Sequence, residues 1–525
     1  MSPDQDATRA GLVQAVGAIG LATLGSRVLG YARDIALAHA FGAGPLTDAF
    51  FVAFRIPNLL RRLLAEGALS TAIIPVFSET LARGGPASFA RMVRAVTGVG
   101  AVVLCAVSGV GILLAPWIVG VMAPGWRSDV GLFELAVTLT RVMFPYLILV
   151  GLAALAMGAL NTHHRFFTAA LAPAVLNVAM IAAIVGLSPH MSQPVMALAV
   201  GVLVGGIGQL LVQLPELRRL GVPLLPALEW SHPAVRVIAH RLWPAVFSLA
   251  AVQVTVVVNT LLASLLRPGT VSYLYYADRL MEFPLGVFGI ALATAVLPTM
   301  SAQAARGETR ALRGTLTFAL RMSAFIAVPA AVGLIALGEP IVRLLLQRGE
   351  FGGAEAAFTA QALAGYAVGL PAFSATRIAA QTFYALGDTR TPVVVGFVSV
   401  TANALFAIAL MWSFEHFGLA LASSLSSYVN LLGLAWLLRR RLGGIGGGEI
   451  ARSLARTLGA TAALFAWCLG ARSLLGGGGA ATLAALGGGA LAYLAAAAAL
   501  RAPELGDLLG MLRRRGRTLP SPRAE

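Results

Sequence analysis

Apolar segments long enough to cross a lipid bilayer recur along this chain from Leu12 to Leu500. A spanning helix needs roughly 20 predominantly apolar residues. The composition, 58% hydrophobic and 11% charged, lies outside the range of soluble globular domains. The sequence therefore predicts an all-α polytopic membrane protein with about fourteen transmembrane helices. The predicted spans are residues 12–41, 46–81, 92–122, 131–160, 167–187, 194–214, 237–266, 271–302, 314–337, 355–386, 392–412, 417–438, 453–471 and 480–500.

The arginines predict the orientation of these helices. With the N-terminus in the cytoplasm, most arginines outside the spans fall in cytoplasmic loops and tails, which is the arrangement that the positive-inside rule favours. Outside loops contain only Arg127, Arg267, Arg343, Arg348 and Arg472. Both termini are therefore predicted to be cytoplasmic. The first apolar segment has no convincing cleavage site, so it is predicted to be helix one and not a signal peptide.

Several function classes lack the residues they require. All 38 basic residues are arginine, so neither a P-loop ATPase nor a lysine Schiff-base enzyme is predicted. The formal net charge of +16 is a topology signal, because a nucleic-acid partner would need a soluble basic module. The histidines show no metal-ligand spacing, the two cysteines lie in apolar runs, and no GxSxG nucleophile is present. The sequence therefore predicts a protein with no metal, no cofactor and no catalytic residue.

An internal repeat divides the chain. Residues Leu69 to Gly84 resemble Leu292 to Gly307 at an offset of 223, and Asn177 matches Asn403 at an offset of 226. The offset carries six helices onto the next six in the same orientation, which predicts two lobes related by a pseudo-two-fold axis along the membrane normal. The predicted domains are an N-lobe over 1–232, a C-lobe over 233–441, two additional helices over 442–501 and a basic cytoplasmic tail over 502–525.

Charged residues inside the predicted spans indicate a polar cavity. An arginine at a helix centre costs roughly 2.5–3.5 kcal/mol on insertion scales, so it is expected to face water or a partner. Helices one, two and eight carry most of these charges, and acidic residues are fewer than arginines there. The planar fork of arginine suits phosphate oxygens, which predicts a phosphorylated substrate. The predicted substrate-binding residues are Arg27, Arg33, Arg61 and Arg279, with Ser26, Asp34, Arg62, Glu66, Asp278 and Glu282 in support.

Other residues of these spans leave two interpretations open. For Arg141, Arg321 and Arg377 a structural role is favoured over substrate binding, because such arginines often join helices or extend toward the membrane interface. Pro57 in helix two and Pro284 in helix eight free backbone groups near the charges, so each is a candidate hinge or a static kink.

Long ordered blocks of the chain resemble the MurJ (MviN) family of lipid II flippases. The similarity covers about the whole chain, and it rests on SRVLGYARD (Ser26 to Asp34), FGAGPLTDAFFVAFRIPNLLRRLLAEGALSTAIIPVFSE (Phe41 to Glu79), NTHHRF (Asn161 to Phe166), YYADRLMEFPLGVFGIAL (Tyr275 to Leu292) and YALGDTRTPV (Tyr384 to Val393).

The resemblance implies the multidrug/oligosaccharidyl-lipid/polysaccharide exporter superfamily, with two six-helix lobes and two additional C-terminal helices that hold a polyprenyl tail. It implies that the substrate is lipid II, an undecaprenyl-pyrophosphate carrying the peptidoglycan precursor, moved to the periplasmic leaflet of the bacterial inner membrane by alternating access. The four substrate-binding arginines match functional cavity positions of the family, and Asp34, Asp48 and Glu282 match its acidic positions.

The predicted partners are lipid II, membrane lipids and the cell-wall synthesis machinery, with no nucleic acid, and the protein is predicted to act as a monomer. The coupling ion is not specified by the residues. The rival predictions are an exporter of another polyprenyl-linked oligosaccharide or of drugs, a membrane glycosyltransferase and a non-transporting scaffold.

Overall fold

The structure, a computed structural model, describes residues 24–61, 72–222, 226–474 and 478–515. Within these ranges every regular element is helical and no strand occurs. This confirms the predicted all-α class. The chain forms two compact units, one comprising Met1–Ser272 with Arg348–Gly352 and the other Tyr273–Gln347 with Gly353–Glu525.

The first unit contains the helices from α1 to α10. They are α1 (24–41), α2 (Pro45–Arg61), α3 (Ile74–Leu113), α4 (Ala115–Met122), α5 (Val130–Met143), α6 (Tyr146–Thr162), α7 (Phe166–Ala182), α8 (Met196–Leu211), α9 (Leu214–Arg219) and α10 (Pro233–Ser264). A π-helical turn at Ala183–Leu187 extends α7. The predicted C-lobe starts at residue 233, whereas α10 belongs to the first compact unit. The lobe boundary stays a prediction.

The second unit begins within the next helix and continues to the C-terminal helix. Its helices are α11 (Thr270–Pro284), α12 (Ala291–Ala305), α13 (Thr309–Leu346), α14 (Gly353–Ala385), α15 (Arg390–Arg441), α16 (Gly447–Leu474), α17 (Gly479–Ala499) and α18 (Pro503–Arg515). A π-helix over Leu285–Ile290 connects α11 to α12.

Many of the described helices, alone or as continuous runs, have the length and apolarity of membrane spans. Nine helices or helix runs in the described ranges could cross a membrane by length and composition. One of them, α15, is interrupted at Glu415, where φ is 47° and ψ is −129°, and the predicted spans 392–412 and 417–438 lie on either side of this break. The protein is thus a multi-pass membrane protein, and the number fourteen stays a prediction.

A left-handed glycine occurs at corresponding places in the two predicted repeats. Gly85 interrupts α3 with a φ of 69°, and Gly307 separates α12 from α13 with the same φ. Glycine adopts this conformation without the steric cost that a Cβ atom imposes. The sequence comparison aligned Gly84 with Gly307, so the structural correspondence is shifted by one residue.

Each unit has its own apolar core. In the first, the rings of Phe77 and Phe89 meet edge to face with centroids 5.6 Å apart. In the second, the Tyr493 hydroxyl of α17 donates to the Phe325 carbonyl of α13 at 2.6 Å. A Cβ atom added at Gly488 of α17 would lie 2.3 Å from the indole of Trp467, so this glycine permits close packing of α16 and α17. Gly488 therefore serves packing, and the lipid-tail groove stays a prediction.

Candidate functional site

Arg33 of α1 is the buried centre of the polar group in the first unit. Its side chain is 7% exposed, and its Nε and Nη2 atoms donate to Asp34 Oδ1 at 3.0 and 2.6 Å. Its Nη1 atom donates to Asn177 Oδ1 at 3.2 Å. A buried ion pair is tolerated when its remaining donors and acceptors are satisfied. Two side chains thus hold one fork of donors in a fixed orientation.

Asn177 of α7 also contacts the main chain of α1 near the first described residues of that helix. Its Nδ2 atom donates to the Ser26 carbonyl oxygen at 3.2 Å, so a single amide joins α7 to two turns of α1. Asn177 therefore contacts both the Ser26 main chain and the Arg33 side chain. The half-buried side chain of Ser26 and the exposed side chain of Arg27 lie on the described part of α1. Arg27 is the most accessible of the predicted substrate-binding arginines in this unit.

Arg61 of α2 is the second arginine of the polar group in the first unit. It is the last residue of α2, and its Nε atom donates to Asn58 Oδ1 at 3.1 Å. Arg61 and Arg33 both interact electrostatically with the buried Tyr146 hydroxyl, so their charges lie near one point of the unit. The two further predicted residues of this helix, Arg62 and Glu66, lie outside the described residues.

Asp48 has a different position from the arginine group. It lies in the first turn of α2 and is 2% exposed. Its Oδ2 atom accepts from the Gly269 N–H at 2.6 Å, and its Oδ1 atom accepts from the N–H and the hydroxyl of Ser272 at 2.8 and 2.5 Å. The first N–H groups of a helix have no partner within the helix. Asp48 therefore caps the start of α11, and its contacts in the structure are structural.

Arg279 is the predicted substrate-binding residue of the second unit. Its Nη1 atom lies 2.9 Å from Glu282 Oε2, and the two side chains are 34% and 42% exposed. The guanidinium carbon lies 5.6 Å from the centroid of the Tyr275 ring, within cation–π range. Asp278, beside it in α11, is half-buried. Arg279 is thus held from two sides while part of its surface stays accessible.

A further arginine joins this second group. Arg377 of α14 lies within electrostatic range of Glu282, the carboxylate that pairs with Arg279 of α11. From the sequence, Arg377 is more often a structural residue than a substrate ligand. The partners Asn177, Asn58 and Tyr275 of the arginines are not predicted from the sequence, and the only sequence signal for any of them is the recurrence of Asn177 as Asn403.

The two groups differ in charge balance. In the first unit the described group contains three arginines, Arg27, Arg33 and Arg61, against Asp34. In the second unit Arg279 and Arg377 interact with Glu282, and Asp278 is the neighbour of Arg279 in α11. The excess positive charge that suits a phosphate therefore lies with the first group.

The two candidate hinges have different surroundings. Pro57 lies within α2, which continues as an α-helix to Arg61. Pro284 ends α11, and the π-helix follows directly. A π-helical turn inside a helix is often found at functional sites. Of the two prolines, Pro284 marks the local change in helix geometry.

Comparison with known proteins identifies the family of this chain. The family model described as lipid II flippase MurJ matches residues 37–485. The chain is 41% identical over 423 residues to the lipid II flippase MurJ of Burkholderia cenocepacia, covering 80% of this chain and 82% of that protein. It is 38% identical over 416 residues to the probable lipid II flippase MurJ of Vibrio cholerae, covering 78% of this chain and 79% of that protein.

Solved structures share the fold. A lipid II flippase MurJ in an inward closed conformation superimposes with a TM-score of 0.79 at 23% identity, over 94% of this chain and 99% of that chain. An inward-facing multidrug-resistance transporter of the MATE family, from the MOP superfamily, gives a TM-score of 0.64 at 14% identity, over 80% and 94% of the two chains. The chain belongs to the lipid II flippase MurJ family, whose members are transporters and not enzymes.

Proposed function

We propose that this protein moves lipid II from the cytoplasmic to the periplasmic leaflet of the bacterial inner membrane during peptidoglycan synthesis. The observation that carries the proposal is the family match over residues 37–485. The polar groups support it, because arginines held in fixed orientations are suited to a pyrophosphate that must leave water. The protein thereby contributes to cell-wall biogenesis and cell shape.

Arg27, Arg33, Arg61 and Arg279 form the proposed pyrophosphate-binding set. Arg33 is oriented by Asp34 and Asn177, so its donors need little reorganisation when an anion arrives. Arg27 is exposed and makes the first contact. Preorganised donors lower the entropic cost of binding. Glu282 partly offsets the positive charges of Arg279 and Arg377 before the substrate enters.

Transport proceeds by alternating access, with the polyprenyl tail remaining among lipids. The change of helix geometry after Pro284 provides a place for α11 to bend relative to α12. The membrane potential supplies about 2.3 kcal/mol per elementary charge per 100 mV, which is one energy source for a charged headgroup. Both termini lie in the cytoplasm according to the arginine distribution, and the protein acts as a monomer.

Genetic complementation tests the proposal. Bacteria depleted of their own lipid II flippase receive the wild type, Arg279→Ala or Arg279→Lys, and the membrane abundance of each protein is measured. Arg83→Ala is the matched control, since the Arg83 side chain is 81% exposed and pairs with Glu79 on the surface. We expect growth with the wild type and Arg83→Ala, and failure with Arg279→Ala. The lysine variant separates the positive charge from the planar fork of donors.

Two results would contradict the proposal in different ways. If the wild type reaches the membrane while lipid II stays in the inner leaflet, the substrate is another polyprenyl-linked oligosaccharide or a drug. If Arg279→Ala rescues as well as the wild type, the flippase function stands and Arg279 does not bind the pyrophosphate.

A further inference from the structure

The C-terminal helix α18 begins where the last apolar span ends. The span α17 ends at Ala499, and the chain turns through Arg501, whose φ is 50°. The Ala502 N–H donates to the Ala497 carbonyl oxygen at 2.9 Å, which closes the end of α17. Pro503 then starts α18. Because only three residues separate the two helices, the start of α18 lies at the membrane boundary.

A buried ion pair fixes this start to two spanning helices. Glu504, in the first turn of α18, has a side chain that is 1% exposed. Arg321 of α13 donates to its Oε1 atom through Nε at 2.7 Å and Nη2 at 2.5 Å, and the hydroxyl of Ser453 in α16 donates to the same atom at 2.8 Å. A buried carboxylate is costly unless it is paired. The first turn of α18 therefore has a fixed position.

One face of α18 is apolar and only partly covered by the protein. Leu505, Leu508 and Leu509 follow the i, i+3, i+4 spacing of a single helix face. Leu505 packs at the edge of the core formed by α13, α16 and α17, and Leu508 is half-buried. Leu509, one turn further along, is 47% exposed. The exposed fraction of this face thus rises with distance from the anchor.

The sequence adds positive charge after this apolar face. Residues 513–515 are three consecutive arginines at the end of α18. An amphipathic helix with basic residues and leucines is the type that lies in the plane of a membrane interface. Arginines close to an anionic leaflet are attracted to its headgroups. An acidic protein partner would complement the positive charge of α18. It would not complement a leucine face that is held at the boundary of the bilayer.

We propose that α18 is an interfacial helix that binds the anionic lipid surface, with Leu509 among the acyl chains and the positive charge of residues 513–515 adding to the attraction. Glu504 and Arg321 set the direction in which the helix leaves α17. The binding of α18 to lipid does not involve the transported substrate, so its test is independent of the flippase function.

A spin label at position 509 of the full chain tests the proposal. Leu509→Cys is made in a Cys105→Ala, Cys468→Ala background, and the folded protein is reconstituted in bilayer discs of phosphatidylcholine, alone or mixed with phosphatidylglycerol. Collision of the label with oxygen reports lipid, and collision with a water-soluble nickel chelate reports water. A label at Asp507, an exposed polar position two residues away, is the matched control.

We expect the label at 509 to collide mainly with oxygen in anionic discs, and to move toward water in neutral discs or after Arg513→Gln, Arg514→Gln and Arg515→Gln. The label at 507 should collide with nickel throughout. The lipid comparison needs no arginine substitution, so it remains informative if the triple variant folds poorly. Nickel accessibility at 509 in anionic discs, including protection that appears only with an added protein, would overturn the proposal. Equal oxygen accessibility in both lipids would also overturn it.

Discussion

Asp48→Ala removes the carboxyl group that joins the start of α2 to the start of α11. In the structure this group accepts three hydrogen bonds, from the Gly269 N–H and from the N–H and hydroxyl of Ser272, at 2.5 to 2.8 Å. The side chain is 2% exposed, so water does not readily replace it. The substitution therefore leaves two backbone donors without a partner.

The magnitude follows from the number of donors. A buried donor that loses its partner costs about 1–3 kcal/mol, and effects within one cluster are not additive. We expect Asp48→Ala to lower the free energy of unfolding by about 3 kcal/mol. Asp48→Asn keeps one oxygen for the Ser272 N–H and should cost about 1–2 kcal/mol. Ser272→Ala removes only the hydroxyl and should cost about 1 kcal/mol.

Titration with sodium dodecyl sulfate in mixed micelles, followed by tryptophan fluorescence, measures these free energies. The decisive comparison is a double-mutant cycle: Ser272→Ala should cost about 1 kcal/mol in the wild type and about zero in the Asp48→Ala background. An equal cost in both backgrounds would refute the reasoning, because it would show that the two residues do not share an interaction.

Three further predictions use the same protein preparation. Asn177→Ala removes the acceptor that Arg33 Nη1 contacts at 3.2 Å. We expect lipid II flipping in reconstituted vesicles to be about tenfold slower, since a hydrogen bond to a charged group contributes about 1.5–3 kcal/mol. An unchanged rate would show that the Asp34 carboxylate alone orients Arg33. Gly42→Ala should lower the free energy of unfolding in the detergent titration by at least about 1–2 kcal/mol, because φ is 65° and the new Cβ would lie 2.5 Å from the Glu350 carbonyl oxygen. The control Gly44→Ala places its Cβ where no atom lies within 4 Å, so it should have little effect. Burial raises the pKa of Glu504, but hydrogen bonds from its own backbone N–H, from Ser453 and from Arg321, together with the charge of Arg321, outweigh the burial and lower the pKa. The stabilisation by Glu504 is therefore present above the usual glutamate pKa of about 4.3 and is lost as the pH falls below it. Glu504→Gln should flatten the acid limb of a pH-dependent unfolding curve.

The helices were predictable because their signal is local. The predicted span 355–386 coincides with α14 within two residues at each end, since apolar length is written directly in the chain. The predicted span 314–337 is shorter than α13, which runs from Thr309 to Leu346, because charged residues at its ends continue the helix beyond the apolar segment. The π-helix after Pro284 was not predicted, since its pattern of hydrogen bonds has no sequence periodicity of its own.

The partners of the arginines were less predictable because they depend on contacts distant in sequence. The structure pairs Arg33 with Asp34, its neighbour in sequence. Adjacent residues on a helix do not face each other, and only the length of the arginine side chain lets it fold back. Asn177 lies 144 residues from Arg33, and no local pattern relates them.

The π-helix between α11 and α12 changes which residues of the two helices lie on the same face. A π-helical turn contains about one residue more than an α-helical turn, and one residue corresponds to about 100° of rotation about the helix axis. Positions in α12 that a continuous α-helix would place in line with Arg279 are therefore rotated away from it. Cross-linking or labelling pairs chosen across Leu285–Ile290 by an uninterrupted helical wheel would fall on the wrong faces, and a substitution scan of α12 will show its sensitive positions displaced by one residue.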